Sequence, residues 1–171
     1  MLKTVPILLI LLSIHLIDED IEIEKRGAFK RKEITGALAN ALKMNDFNLL
    51  SSYIPDENEL RYLKKHSSQK DKYIYDQIDP ESFKIQTRQN FEAVEEAGID
   101  HQVNWAETEL VDQQELQKNE TNYTVFMALQ DMSGKTVQLS YDAIKIKEKW
   151  FLFQGIRVEQ CLTTKKDCPK P

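Results

Sequence analysis

The sequence predicts an α+β fold, with N-terminal helices packed on a curved four-stranded antiparallel meander. Three observations predict it. Apolar residues recur at three-and-four spacing through the first half of the chain, as on the buried stripe of a helix. Beyond Val103 the period drops to two, the signature of strands with distinct faces. The helical patterns come first and the strand patterns afterwards, so the chain lacks the alternating order of a parallel sheet. With 171 residues, 41% of them hydrophobic and 30% charged, it has material for one domain with a buried core.

Each element follows in order. Ile34, Ala37, Leu38, Ala41 and Leu42 form the first stripe, interrupted at Asn45-Asp46. Asp46 is placed to cap a short helix carrying Phe47, Leu50 and Ile54, which Pro55 ends. Asp56 followed by Glu59 reads as a capping box for a third helix with Leu60 and Leu63 inward. Ser67 to Asp76 is polar and lysine-rich and reads as a loop. Asp79-Pro80-Glu81 starts a long helix carrying Phe83, Thr87, Phe91 and Val94, with Gly98 as its stop. Alternation begins near Val103 and Trp105, then returns over Val125–Leu129, Val137–Ala143 and Trp150–Val158. Asp131-Met132-Ser133-Gly134 and Lys147-Glu148-Lys149 supply tight turns. Ile144 and Ile146 continue in the opposite phase, which predicts a bulge near Ala143.

The ends of the chain bear on compartment. Lys3 precedes a nearly all-apolar run from Val5 to Ile17, and five acidic residues follow between Asp18 and Glu24. Positive before and negative after is the bias of a segment that sends the following chain across a membrane. This run of thirteen residues is shorter than the ~20 of a spanning helix and suits a signal segment. The expected organisation is a signal-type segment over 1–24, a basic linker over 25–32, the domain over 33–160 and a tail over 161–171. An extracytoplasmic (secreted or periplasmic) location follows, with retention by an uncleaved N-terminal segment as a variant of it. Membrane contact is expected only through that segment. Cys161 and Cys168 are the only cysteines and flank a short loop, which suggests a disulfide in an oxidising compartment. No metal site and no cofactor are expected, because the motifs that hold them are missing from the sequence. Net charge is −5, nine acidic residues crowd the stretch from Phe91 to Glu120, and nucleic acid is a poor partner for such a chain.

Three stretches also carry a likeness to a known architecture. Ala37-Leu38-Ala39-Asn40-Ala41-Leu42-Lys43-Met44-Asn45-Asp46-Phe47-Asn48-Leu49-Leu50 reads as an opening helix with a small-residue-then-acid break. Pro55-Asp56-Glu57 reads as the next helix start, and Lys145 to Leu152 as a closing hairpin whose aromatic follows a charged turn. Together these resemble the nuclear-transport-factor-2-like superfamily, the cone-shaped, cystatin-like α+β fold. A cystatin-like sheet wrapped on one helix is the nearest alternative. The resemblance implies a pocket between concave sheet and helices, where enzyme members place Asp, His or Tyr.

Two functional classes compete for that pocket. In the first, a non-enzymatic binding or interaction module takes a small hydrophobic ligand or a protein partner, with Trp105, Tyr123, Tyr141, Phe151 and Phe153 as contact residues. Both faces of the last strand are apolar, so the face not packed on helices lines a cavity or forms a homodimer contact. In the second, a small lyase- or isomerase-like enzyme uses His101 and Asp142 as general base, with Tyr141 or Tyr123 donating to an oxyanion. Strand alternation sets Tyr141 and Asp142 on opposite faces, which opposes their joint use.

Overall fold

The computed structural model describes residues 26–162, and over that span helices precede strands throughout. The helices are α1 (Arg31–Met44), α2 (Glu57–His66), α3 (Gln69–Asp76) and α4 (Pro80–Asp100), with 3₁₀ turns at Phe47–Tyr53 and Trp105–Glu107. The strands are β1 (Glu109–Gln117), β2 (Asn122–Gln130), β3 (Thr136–Ile146) and β4 (Lys149–Leu162). They pair in chain order as one antiparallel meander. None of the described helices is long and apolar enough to cross a membrane.

The expected caps form. Asp46 accepts from the Asn48 N–H, and Asp79 from the Ser82 N–H. Asp56 accepts from Asn58 and Glu59, while the Glu59 carboxylate accepts from the Asp56 N–H at 2.7 Å. Each bond satisfies a backbone donor that a helix start leaves open.

Two local expectations are corrected. Residues 69–76 are helical rather than a loop: Ser68 accepts from the Asp71 N–H and donates to its carboxylate, starting α3. One apolar anchor, Tyr75, then docks this lysine-rich helix edge-on to Phe153. Gly98 does not stop α4, which runs on to Asp100. It seats Trp105 instead, since a Cβ there would lie 2.2 Å from the indole Cζ2. Trp105 is thereby fixed on α4, its Nε1 donating to the Glu95 carbonyl at 3.1 Å.

The sheet buries apolar residues on both faces. On the inner face, Val125, Met127, Leu129, Val137, Leu139, Tyr141 and Leu152 meet Ile34, Leu38 and Leu42 of α1 and Phe91 and Val94 of α4. On the outer face, Ile144, Ile146, Phe151 and Phe153 meet Leu60 and Leu63 of α2 and Tyr75 of α3. Full burial of each such side chain contributes about 1.5–3 kcal/mol, enough to dock two otherwise polar helices. The Ile144–Ile146 phase change is therefore no slip of β3, which alternates regularly against β2. It marks where the outer face turns apolar beneath α2 and α3.

The expected irregularity near Ala143 is present, with its extra residues on the neighbouring strand. Fourteen residues of β4 lie against eleven of β3, with register shifts at Gln138/Leu139, Ser140/Asp142 and Asp142/Ala143. Bulges of this kind bend and twist a strand. The free side of β4 is closed at one point by Ala28, which exchanges both backbone hydrogen bonds with Trp150 (2.8 and 2.7 Å). Gly27 permits this approach: its φ is 72°, and a Cβ would lie 2.7 Å from the Phe151 ring. Part of the expected basic linker is thus built into the domain, with Arg31 and Lys32 already in α1.

Candidate functional site

The residues picked out from the sequence do not gather into one site. His101 is an exposed residue at the C-terminal cap of α4. Its neighbours are tied to the β2–β3 turn, where Lys135 Nζ donates to the Gln102 carbonyl (2.9 Å) and the Asn104 N–H donates to Asp131 (3.1 Å). Asp142 lies about 20 Å further along β3, at roughly 3.3 Å per residue. There it accepts from Thr124 Oγ1 (2.6 Å) and Lys118 Nζ (2.8 Å), with Arg157 at 3.6 Å. Burial pushes the Asp142 carboxyl up, but the Lys118 and Thr124 hydrogen bonds and the Lys118 and Arg157 charges outweigh it and hold it below the ordinary range. An ionised carboxylate clamped this way is a strand-tying group. The His101–Asp142 pair is not assembled.

Tyr141 is fully buried on the inner face. Its hydroxyl lies 2.8 Å from Thr35 Oγ1 and donates to the Arg31 carbonyl at 3.2 Å. Burial raises its pKa well above that of an ordinary tyrosine. Tyr141 and Asp142 do occupy opposite faces, as alternation requires. Phe151 and Phe153 are corrected as contact residues: α2 and α3 cover them, so they face neither a cavity nor a dimer partner. Cys161 lies at the end of β4, paired with Val137. Cys168 lies outside the described residues, and so does the expected disulfide; the signal-type segment lies outside them as well.

Tyr123 finds a role beside residues the sequence did not connect to it. Its ring stands perpendicular to that of Trp150, centroids 5.3 Å apart. The Arg31 guanidinium sits over both, 3.8 Å from Tyr123 and 4.4 Å from Trp150. Arg31 Nε donates to Glu115 of β1 at 2.8 Å. A planar cation between two rings and a carboxylate is a well-held arrangement. It plugs the end of the inner core, leaving outside it a shallow opening of about 460 Å³ between Phe29, Lys32, Gln113 and Trp150. No sequence period announces this cluster, because its members come from α1, β1, β2 and β4.

The clamp leads directly to β1, where the molecule is most open. β1 is exposed on both faces along almost its whole length. It leaves Leu110, Val111 and Leu116 respectively 42%, 53% and 57% accessible. Among the described residues, only β2 pairs with it. A nine-residue edge offers a row of main-chain donors and acceptors for a further strand. The acidic run seen in the sequence supplies its side chains: Glu109, Asp112 and Glu115.

A larger opening of about 720 Å³ lies between the starts of α2 and α4, lined by Arg26, Asp56, Lys64, Asp79 and Lys84 among others. Behind it Glu59 is buried, its Oε1 3.3 Å from Arg26 Nε. Burial, and next the Asp56 carboxyl, push Glu59 up to about 7. Among the described residues, no three His, Cys, Asp or Glu side chains converge as metal ligands would. No protein-family model, curated protein or solved structure matches this chain.

Proposed function

We propose that this chain is a non-enzymatic interaction module working outside the cytoplasm, and that β1 is the element through which it engages a partner. The observation that carries the reading is the contrast in cover within one sheet. Helices of the chain itself close both faces of the β3–β4 end, whereas no other described residue covers the backbone edge of β1 or buries its three large apolar side chains. Such an edge recognises another extended chain by main-chain hydrogen bonds and by alternate side chains. The charge bias around the N-terminal apolar run supports the compartment. The order of helices, capping box and meander supports kinship with the nuclear-transport-factor-2-like superfamily, whose cone pocket would here be occupied by core side chains.

The test is fractionation of cells making the full chain, with native sizing of the recovered protein. The expected result is recovery outside the cytoplasm in species larger than the 20.0 kDa single chain. A Leu116→Lys variant should fold normally and lose the larger species. Recovery in the cytosol defeats the compartment, and identical sizes for the two proteins defeat the role of β1.

A further inference from the structure

We propose that the partner of β1 is a second copy of this chain, added antiparallel along the free edge about a two-fold axis at Gln114. The proposal rests on the reading of β1 as the docking element.

The backbone sets the first condition. At the β1–β2 turn the Lys118 N–H donates to the Asn122 carbonyl at 2.9 Å, and Gln117 is paired with Tyr123. Antiparallel ladders alternate, so Gln114 and Leu116 turn their main-chain groups toward β2, while Gln113, Glu115 and Gln117 turn theirs to the open side. A two-fold axis at Gln114 places Gln113 opposite the second copy's Glu115. Each such pair can exchange both main-chain hydrogen bonds. Asp112 then faces Leu116, and Val111 faces Gln117, so the pairing uses the strand from Val111 to Gln117.

Charge selects this axis from its neighbours. An acidic strand pairing with itself is opposed wherever carboxylates meet. An axis at Asp112 or at Glu115 sets that carboxylate against its own image. An axis at Gln113 sets Glu115 against Val111, inside the irregular stretch between Leu110 and Asp112. At Gln114 no carboxylate faces another, and Glu115 meets an amide. The acids are also already answered within each copy. Arg31 holds Glu115, the Gln113 amide donates to Glu115 at 3.1 Å, and the Gln114 amide donates to Asp112 at 3.1 Å. The half-exposed Leu116 side chains of the two copies would flank Gln114 on the outer face, where an isologous contact needs matching patches.

Two measurements test this on the full chain. The first is amide hydrogen exchange of the unaltered protein across a dilution series. Exchange at Gln113, Glu115 and Gln117 should slow by about 10-fold or more from the dilute to the concentrated end. The second uses Gln114→Cys in a chain carrying Cys161→Ser and Cys168→Ser, with circular dichroism as the check on folding. Facing positions at a two-fold lie within disulfide reach, so oxidation should give a species of twice the mass. Glu109→Cys, off the axis, should not. Slow exchange independent of concentration overturns the second copy and assigns the edge to another segment of the same chain. No protection in the pure protein, with a photo-crosslinker at residue 114 capturing a different protein in cells, also overturns it but leaves β1 as a docking element. No protection and no crosslink defeats both readings.

Discussion

β1 and β3 belong to one sheet, are similar in length and flank the same strand β2, yet differ in how fully they are covered. β3 runs between two strands, with α1 and α4 over one face and α2 and α3 over the far end of the other. Its only accessible side chains are partly so, among them Gln138, Asp142 and Lys145. Among the described residues, β1 has one neighbour and is open above and below. Sheets are stabilised by what packs on them as much as by their ladders. The difference therefore separates the part of the molecule that holds it together from the part left available to others.

The comparison can be broken at its strong end first. Phe151→Ala empties the outer core beneath α2 and α3 and should cost about 3–5 kcal/mol in urea unfolding. A loss below about 1 kcal/mol would mean that these helices do not constitute a second core. The next effect is one of pH. Glu59, facing Arg26 and Asp56 under the start of α2, has its carboxyl raised from 4.5 to about 7. The native chain then holds more proton than the unfolded chain between those values, so stability falls as pH rises through them. Neighbouring Asp56 is lowered instead: burial raises it, but the Glu59 hydrogen bond and the Arg26 charge prevail, so its contribution is lost only in stronger acid. Thermal melts of Glu59→Gln should lose the decline between about pH 4.5 and 7, worth roughly 3 kcal/mol. An unchanged decline would assign it to another group. The smallest stability effect is the most informative about β1. Leu116→Lys should change stability by no more than ~0.5 kcal/mol while abolishing association. A large loss of stability would show that β1 is part of the structural core after all.

Much of this architecture is legible in the sequence itself. Asp46, the Asp56–Glu59 box and Asp79-Pro80 announce helix starts because caps are local chemistry. α3 escaped notice because its signal, Ser68 with Asp71, is brief and its single anchor, Tyr75, makes no period. Gly98 was misread because a glycine near a helix end is an ordinary stop, and only Trp105 arriving from beyond the helix gives it another purpose. For the last strand, apolar residues on both faces were plain in the sequence. What covers the second face was not, because α2 and α3 lie some eighty residues earlier. The site was the least legible part. Tyr123 stands out in the sequence as a contact residue, yet its place against Arg31 and Trp150 joins residues of α1, β2 and β4 that lie far apart along the chain. A bare edge is equally invisible to periodicity, which reports what a strand's side chains do and says nothing of its neighbours.

The bridge between Ala28 and Trp150 has a consequence for when the domain can be completed. It joins the first described residues to the start of the last strand, so it closes a loop over most of the domain and is among its most non-local contacts. Such contacts form late, after the chain entropy of the loop has been overcome. A chain emerging from the ribosome N-terminus first holds Ala28 ready long before Trp150 appears. Until then the Arg31 clamp lacks one of its two rings, and the inner core stays unsealed. Completion is timed by the arrival of the β3–β4 hairpin, and the inner core of the described domain stays loose until that hairpin is made.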